Sequence, residues 1–584
     1  MHRRIWLLVG AVVAVLGVAT SATATSKTAA SSKSAKLAAA PFAQAWANVP
    51  RTPAARAAKS TAVVAMEQDL SGTWNTSEAD SNLAWANWAG INPVLRAPYL
   101  VTNKLTYVPD LATKVVINKK SITYTIRKDA FWNWGGKKLP VTYKDFVYTW
   151  KAITDPKNNP ASRQGLNQIA RFTHNGDKQV TFFWKTKGCT ADAPCGPFAD
   201  YRDLFGFIYP SAALAKMSDS WNTMWASCIC GSDGKPVSDG PYLMTNYTKG
   251  QGLTLKTNPM WYGHKPSLKE INFKIITDTN SEVQAIRGGE VDIAYPQPST
   301  ALTSLRSDAS INYKVAPGLY LEHIELEFGP KASNPLLRSP WMRQALMLGM
   351  DRQGLVNAIF KGVADGLKPL DNITLFQSDN RYKADFEKWN FNPQKALDIL
   401  KKHCTGGPSS VTPGNTNYFT CSGYPAKFKY TTTAGNSRRQ TSEAIFKAGL
   451  ASIGIQLVDD FQPASVMFGD TVLTAGNFDM IEFAYGGSID PGGFGPIWGC
   501  KGSQNYIAYC NRKATNFFDD AKTQLDAKKR NNDFIQADKL MSNDVPAIPL
   551  YALPDVLTYN KGLHNITDNA GVGFTWDLEQ WKWS

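Results

Sequence analysis

The stretch Ala285-Ile286-Arg287-Gly288-Gly289-Glu290-Val291-Asp292-Ile293-Ala294 carries the pattern that decides the fold. It follows Thr279-Asn280-Ser281-Glu282, a capping sequence that predicts the start of a short helix. The two glycines predict where that helix ends, because glycine readily adopts the backbone conformation found just after a helix. The apolar run from Val291 to Ala294 then predicts a strand. A helix that leads through a glycine turn into a strand is a unit from which α/β domains are built.

Predicted helices and strands alternate on both sides of this unit. Ile122, Tyr124 and Ile126 alternate with polar residues and predict a half-buried strand. Further helix starts are predicted at Thr142, Ser339, Asp351 and Asn392. A chain of 584 residues is too long for one hydrophobic core. The sequence therefore predicts an α/β protein of two or three domains.

The net charge of +15 overstates how basic the folded part of the chain is. Eight lysines and arginines, and no acidic residue, lie within the first 60 residues, and they account for about half of the excess. The rest of the chain lacks the dense lysine and arginine runs that favour nucleic-acid binding. No nucleic-acid partner is expected.

The N-terminus predicts export from the cytoplasm. His2-Arg3-Arg4 precedes an apolar run from Ile5 to Thr20, and the small residues 21–24 follow. This order is typical of a secretory signal, here cut after Ala24. A retained membrane anchor is the alternative, although the run is shorter than the roughly 20 residues that a spanning helix needs. No cysteine directly follows the apolar run, so no lipid anchor is expected at the mature N-terminus.

Residues 25–60 are mostly Ala, Ser, Thr, Lys and Pro, and this composition predicts a disordered tether. The eight cysteines of an exported chain predict disulfides rather than a metal site. Cys404 with Cys421 and Cys500 with Cys510 flank short loops and predict local bridges. The remaining four are Cys189, Cys195, Cys228 and Cys230. Their pairing stays open between a local Cys189–Cys195 link and cross-pairing of the first two with the last two.

Six groups of motifs, in this order, resemble the bacterial extracellular solute-binding proteins of family 5, the oligopeptide-, dipeptide- and nickel-binding group. They lie at 124–136 with 141–147, 238–242 with 258–263, 285–294, 342–346 with 350–352, 454–455 with 478–480, and 546–550. Each motif is weak alone, because caps and glycine turns are common. Phe146 stands where the family usually has valine. The resemblance extends over roughly residues 61–584, and most of the motif residues are expected to be structural.

The resemblance implies a two-lobed periplasmic-binding-protein-like fold (type II), with an extra domain inserted in the first lobe and a hinge between the lobes. The expected divisions are a signal at 1–24, a tether at 25–60, a first lobe at 61–100 with 208–300 and 545–584, an inserted domain at 101–207, and a second lobe at 301–544.

The resemblance also implies a function. Such proteins capture peptides or peptide-like solutes between closing lobes, deliver them to the membrane permease of an ABC importer, and catalyse nothing. We therefore expect no catalytic or metal-binding residues, no cofactor, and a monomer in the periplasmic space or at the outer face of the cell envelope.

Three segments match the cleft walls of the family. The residues that the resemblance assigns to ligand contact are Trp74, Asn75, Tyr320, Glu325, Glu327, Tyr485, Gly486, Gly487, Ser488 and Asp490. Each has a plainer alternative. Trp74 and Tyr485 could be core residues, Glu325 and Glu327 could be solvated, and Asp490 could be a turn residue before proline.

One position departs from the family. Its peptide binders carry an acid four places before the proline of the last segment, where it pairs with the α-ammonium of the ligand. Aligned on Pro491, that place is Gly487. An amine buried without a counter-charge is costly. Either Asp490, Glu325 or Glu327 replaces the anchor, or the ligand is not held by a free N-terminus.

Three other functions compete with peptide binding. An exported hydrolase would need a nucleophile elbow or a zinc motif, and the sequence contains neither G-x-S-x-G nor H-E-x-x-H. A structural envelope protein would show no stabilisation by any ligand. A binding protein for an oligosaccharide, an opine or a metal chelate would share the same fold, because one fold serves many ligands.

Overall fold

The computed structural model describes residues 59–70, 72–190, 193–329, 332–468 and 471–584. The predicted signal and nearly all of the predicted tether lie outside these ranges. Within these ranges no helix combines the length and the apolar character needed to cross a bilayer.

A ten-stranded mixed sheet runs through the whole molecule. Its strands are β1 (Thr61–Met66), β2 (Tyr242–Thr248), β3 (Gly252–Thr257), β4 (Glu270–Ile275), β5 (Ile293–Ala294), β6 (Ile311–Leu326), β7 (Lys427–Thr433), β8 (Gln456–Gln462), β9 (Met480–Gly486) and β10 (Ala547–Asn560). Their order across the sheet is β2-β3-β4-β1-β5-β10-β6-β9-β7-β8. The predicted α/β class is confirmed.

The longer helices pack against this sheet or, in the case of Tyr143–Thr154, lie in the segment 101–207 that is expected to form the inserted domain. They are α1 (Tyr143–Thr154), α2 (Thr279–Gly288), α3 (Pro340–Gly349), α4 (Arg352–Phe360), α5 (Pro393–His403), α6 (Ser437–Ser452), α7 (Arg512–Thr523) and α8 (Ala527–Asp544). Shorter helices lie at Ala84–Ala86, Asn92–Val94, Ser211–Leu214, Thr303–Arg306, Ala464–Met467 and Gly495–Trp498.

Several small sheets complete the fold. A four-stranded antiparallel sheet is formed by Ala112–Ile117, Ser121–Ile126, Gln179–Trp184 and Ile169–His174. Three-stranded sheets join Phe131–Trp134, Lys137–Pro140 and Val237–Ser238, and also Cys404–Gly406, Phe419–Cys421 and Tyr424–Pro425. Two-strand pairs join Tyr99–Val101 with Tyr107–Pro109, and Leu563–His564 with Lys582–Trp583.

Two large apolar cores lie on either side of the middle of the ten-stranded sheet. One core lies around β1–β4, the four-stranded sheet and the C-terminal segment 561–584, and we call this body lobe 1. The other lies around β7, β9 and helices α3–α8, and we call it lobe 2. Because the sheet is continuous between them, the residue limits expected for the lobes and for the insertion stay predictions.

Local capping follows the sequence closely, with one difference. Thr142 and Asp145 form the expected capping box at the start of α1. Helix α2 ends at Gly288, and Gly289 takes the left-handed conformation with φ of 73°. Its N-cap is Asp278 rather than Thr279, because the Asp278 carboxylate accepts a hydrogen bond from the Ser281 backbone N–H. A carboxylate can satisfy that donor as well as a hydroxyl, which explains the shift by one residue.

All eight cysteines are paired in the structure. The bridges are Cys189–Cys195, Cys228–Cys230, Cys404–Cys421 and Cys500–Cys510. The two predicted local bridges are present, and the open question is answered in favour of local pairing rather than cross-pairing.

Loss of the Cys404–Cys421 bridge is expected to cost about 3 kcal/mol of unfolding free energy, because it restricts a long loop of the unfolded chain. The bridge spans 17 residues, whereas Cys228–Cys230 spans 2, so a double alanine variant of the second pair should lose less. Denaturant unfolding of both variants measures the difference.

Peptide mapping without reductant should find the four bridges. Free thiols at Cys404 and Cys421 would refute the assignment of the Cys404–Cys421 bridge.

Candidate functional site

Two long strands connect the lobes. The first half of β6 pairs with the end of β10, where Ile311 lies opposite Asn560. The second half of β6 pairs with the start of β10, where Glu325 lies opposite Ala547. The register shifts between Pro317 and Leu321, so the ladder is interrupted where the strands pass from one lobe to the other. Such a break allows bending. We take the space beside this crossing as the candidate cleft between the lobes.

The carboxyl ends of the lobe 1 strands border the same space. β1 and β5 are parallel, with Val64 opposite Ile293. β10 runs antiparallel to β5, with Thr558 opposite Ala294, so Asp555 lies just beyond the carboxyl end of β5. Ligands of open α/β sheets bind outside the carboxyl ends of the strands. This edge of lobe 1 is therefore one wall of the cleft.

Trp74 and Asn75 lie inside lobe 1 rather than at the cleft surface. The Trp74 side chain is fully buried, and its ring packs edge-on against Tyr247 with centroids 5.1 Å apart. The Asn75 amide donates to the Trp221 carbonyl oxygen at 2.7 Å and accepts from the Tyr209 hydroxyl. Their hydrogen bonds and packing place them in the core, which was the plainer alternative for Trp74.

Glu325 and Glu327 are also buried, in lobe 2. The Tyr485 hydroxyl donates to Glu325 at 3.0 Å, and His323 Nε2 lies 3.6 Å from the same carboxylate. Glu327 accepts a hydrogen bond from the Gly329 backbone N–H. The alternation in β6 suggested a polar face, yet both faces of the second half of β6 are buried. The structure therefore places neither glutamate at the cleft or in solvent.

The loop after β9 contains the remaining predicted residues. Tyr485 is buried, whereas Gly486 and Ser488 are exposed. The Asp490 carboxylate accepts from Arg530 Nη2 at 2.6 Å and from the Gly492 backbone N–H at 2.8 Å. Asp490 thus already has a cationic partner and caps a turn, which leaves it unsuited to serve as a free amine anchor.

Gly487 is fixed by its surroundings. Its backbone N–H donates to the Leu319 carbonyl oxygen at 2.6 Å. A Cβ at this position would overlap the buried Phe376 ring and would lie 2.8 Å from the Leu319 oxygen. The acid that peptide binders of the family carry here is therefore excluded by packing.

Replacing Gly487 with aspartate is expected to lower the unfolding free energy by about 1–3 kcal/mol, the usual cost of overpacking. Gly486→Asp is the matched control, because a Cβ on Gly486 would meet only the Tyr320 ring at 3.5 Å. Thermal unfolding of the two variants tests the difference. A Gly487→Asp protein as stable as the control would show that the loop has room for the acid.

Tyr320 is the predicted residue that lies nearest to the crossing. It is half-buried and stands opposite Gly486 in the β6–β9 register. The structure therefore brings Tyr320 together with the loop 486–488. Within the predicted set, this group combines an exposed surface with a position beside the crossing strands.

Sequence reasoning missed a carboxyl pair on the lobe 1 wall. Asp555 lies in β10, and Asp568 accepts a hydrogen bond from the Tyr295 hydroxyl at 3.2 Å. Burial raises the pKa of Asp555 well above its usual value, and the neighbouring Asp568 raises it further. Burial also raises the pKa of Asp568. Burial is the largest cause of both shifts, and the two carboxyls also lie close enough to influence each other.

A second carboxyl pair lies on the other side of Tyr295. The Tyr295 backbone N–H donates to Glu282 at 3.2 Å, and the Gln297 backbone N–H donates to Glu67 at 3.0 Å. Burial raises the pKa of both glutamates, and Glu67 raises that of Glu282 further. Tyr295 thus connects two acidic pairs along the carboxyl ends of β1 and β5.

Local signals could have revealed some of these residues. Glu67 directly follows the apolar stretch of β1, and Asp555 follows Pro554 within a mostly apolar strand. A charged residue in a buried strand is uncommon enough to indicate a site. Their proximity to Asp568 and Glu282 depends on the tertiary fold, and no local pattern predicts it.

The lobes touch along one rim of the cleft. The Ala199 backbone N–H donates to the Lys522 carbonyl oxygen at 3.0 Å, which links the segment before residue 207 to lobe 2. A Cβ on Gly571 would lie 3.1 Å from the Ile489 side chain and 3.3 Å from Leu105. The cleft is therefore closed on this side. In the part of the chain that the structure describes, no group of three or more His, Cys, Asp or Glu side chains is arranged to hold a metal ion.

Comparison with known proteins places this geometry in context. The family described as "Bacterial extracellular solute-binding proteins, family 5 Middle" matches residues 106–506. The "Oligopeptide-binding protein OppA" of Mycobacterium tuberculosis (strain ATCC 25618 / H37Rv) is 23% identical over 470 residues, which cover 78% of this chain and 74% of that protein. The "Dipeptide-binding protein DppE" of Bacillus subtilis (strain 168) is 22% identical over 518 residues, covering 85% and 87%.

Solved structures share the architecture. The periplasmic EDTA-binding protein EppA superposes with a TM-score of 0.76 at 22% sequence identity, covering 90% of this chain and 97% of that one. This likeness concerns the fold, and it confirms the expected two-lobed arrangement.

Proposed function

Since the chain belongs to the bacterial extracellular solute-binding proteins of family 5, which serve ABC transporters and are not enzymes, we propose that it captures peptides or peptide-like solutes for import. The ligand would lie in the cleft between lobe 1 and lobe 2, and the membrane permease would receive it when the lobes open. The observation that carries the proposal is the pair of strands, β6 and β10, that connect two separately packed lobes. Relatives named for oligopeptide and dipeptide binding support the choice of ligand class.

The walls of the cleft suit an extended ligand. Gly486 and Ser488 are exposed beside Tyr320, where the backbone of a peptide could form hydrogen bonds without regard to its side chains. Trp88 and Tyr295 are half-buried on the opposite wall, with their ring centroids 5.3 Å apart. Flat rings of this kind contact varied apolar groups.

Native mass spectrometry of the protein purified from its own cell envelope tests this proposal directly, because bound cargo is weighed with the protein. A peptide mass is expected. An oligosaccharide, an opine or a metal chelate would identify a different solute class. The absence of any bound mass, together with no stabilisation by a peptide library, would contradict the proposal.

We also propose that the protein is exported, with its mature N-terminus near Thr25 and no attached lipid. N-terminal sequencing and intact-mass measurement of protein from the cell envelope test this. Recovery of the chain with Met1 in the membrane fraction would instead support the retained anchor.

A further inference from the structure

The two acidic pairs on the lobe 1 wall lack the cationic partners that some other buried acids of the described residues have. Asp490 is paired with Arg530, and Asp110 with Arg96 at 2.7 Å. Within the described ranges, none of the four carboxyls at Glu67, Glu282, Asp555 and Asp568 forms a salt bridge. Unpaired buried charge is costly, so these groups either keep protons or receive a cation from elsewhere.

The hydrogen bonding of Glu282 points to the same conclusion. Its side chain is fully buried, and its Oε2 atom has no donor from the described residues. Its Oε1 atom accepts from the Tyr295 backbone, which holds the carboxyl toward the half-buried Glu67 and Tyr295 at the strand ends. A buried carboxyl oxygen with no donor calls for one from a ligand or for a shared proton.

Aromatic rings surround the Tyr295 end of this arrangement. Tyr295 stacks on Phe574 with centroids 5.1 Å apart and an interplanar angle of 11°, and Trp88 packs edge-on against Tyr295. A cation next to such rings gains attraction from their electron-rich faces. Carboxylates and rings together form an environment that favours ammonium or guanidinium groups over anions.

The acidic residues expected from the family to hold the ligand amine are not free to bind a cationic group. Gly487 has no room for an acid, Asp490 is paired with Arg530, and Glu325 is buried in lobe 2. Asp555 of the lobe 1 wall lies close enough to Tyr320 to influence its hydroxyl electrostatically.

We propose that Asp555 and Asp568, together with Tyr295, bind a positively charged group of the ligand, an ammonium or a guanidinium. The inference rests on the proposed function in one respect, namely that the ligand occupies the cleft, and it goes further by naming the charge that the ligand carries there. Glu67 and Glu282 extend the same acidic wall and would favour a second cationic group.

Calorimetric titration of the full mature protein tests the inference with matched probes. The probes are tetra-alanine with a free amine, N-acetyl tetra-alanine, and N-acetyl Ala-Lys-Ala-Ala. The unaltered protein should bind at least one of the two cationic probes about tenfold or more tightly than the neutral probe. The double variant Asp555→Asn/Asp568→Asn should lose about 30-fold or more of that affinity, as truncation of a buried charge pair usually does, and should bind the neutral probe unchanged.

Glu290→Gln is the matched control, because it removes one exposed carboxylate of lobe 1 outside the cleft. It should leave all three affinities unchanged. Equal binding of charged and neutral probes, or discrimination that survives in the double variant, would overturn the inference while leaving peptide binding intact.

If no peptide binds, the proposed function fails, and thermal shift with 1,4-diaminobutane and succinate still decides the inference. Stabilisation by the diamine alone, lost in the double variant, would support the acidic wall as a cation site. Stabilisation by succinate alone, or by neither solute, would overturn it.

Discussion

Replacing Glu322 with alanine is expected to lower the unfolding free energy by about 3–5 kcal/mol, the usual cost of breaking a buried ion pair. Glu322 lies in β6 and is fully buried in lobe 2. Its carboxylate accepts from Arg439 Nε at 2.6 Å, and Arg438 Nη2 lies 3.5 Å away. The alanine variant would leave two largely buried guanidinium groups without their acid.

In the unaltered protein, the neighbouring Glu482 does not share the pairing of the two arginines at neutral pH. It is fully buried and receives a hydrogen bond from the Tyr430 hydroxyl at 2.8 Å. Burial, and then the charge of Glu322, raise the pKa of Glu482 to about 8. At pH 7 Glu482 is therefore mostly neutral, and Glu322 is the ionised acid that the arginines face.

Denaturant unfolding of the Glu322→Ala variant measures the effect, with Glu290→Ala as control. Glu290 pairs with Lys274 on the surface, with both side chains about half exposed, so its loss should cost about 1 kcal/mol or less. Adding Arg439→Met to Glu322→Ala should recover part of the stability, because one unpaired guanidinium is removed. A Glu322→Ala protein within 1 kcal/mol of the parent would contradict the role assigned to this pair.

The positions of many helix ends were predictable because the sequence patterns that mark them are local. The capping box of Thr142 and Asp145 and the glycine after α2 each depend on a few adjacent residues, and both form as expected. The two-lobed arrangement was expected from the resemblance to the solute-binding family, which the ordered motifs carry. Caps of this kind form wherever the helix ends are intact, because they depend on neighbouring residues and not on the rest of the fold.

The cleft was less predictable because it depends on what covers each strand face. Alternation in β6 separated His323, Glu325 and Glu327 from the apolar residues, but it could not show that both faces are covered. Asp490 had the right chemistry, yet its partner Arg530 is 40 residues away in the chain. Asp555 and Asp568 meet Tyr295, more than 250 residues earlier, and only the folded sheet brings them together.

Affinity for a cationic ligand is expected to rise with pH, by up to about tenfold per pH unit, because binding releases a proton. In the empty protein, burial and Asp568 hold the pKa of Asp555 well above its usual value. The groups that face Asp555 are Asp568, Tyr295 and Tyr320, and none of them is a cation. A bound ammonium favours the ionised carboxyl, so the proton must leave when the ligand enters.

The stability of the empty protein should depend on pH through the same carboxyl. A carboxyl whose pKa is raised by folding stabilises the folded state at low pH, and this contribution is lost as pH rises through the raised value. The empty protein should therefore lose stability at Asp555 toward alkaline pH, whereas the liganded protein pairs the same charge with a cation. The ligand-induced rise in melting temperature should therefore grow as pH rises above the usual range of a carboxyl pKa.

Calorimetry in two buffers of different ionisation enthalpy measures the released proton directly, and thermal shifts across the pH range measure its consequence. N-acetyl tetra-alanine serves as the control ligand and should bind with the same affinity at every pH, because it carries no cation to displace the proton. The Asp555→Asn variant should lose the pH dependence along with the proton. An affinity for the cationic probe that stays constant or falls as pH rises would show that the ligand does not meet Asp555 as a cation.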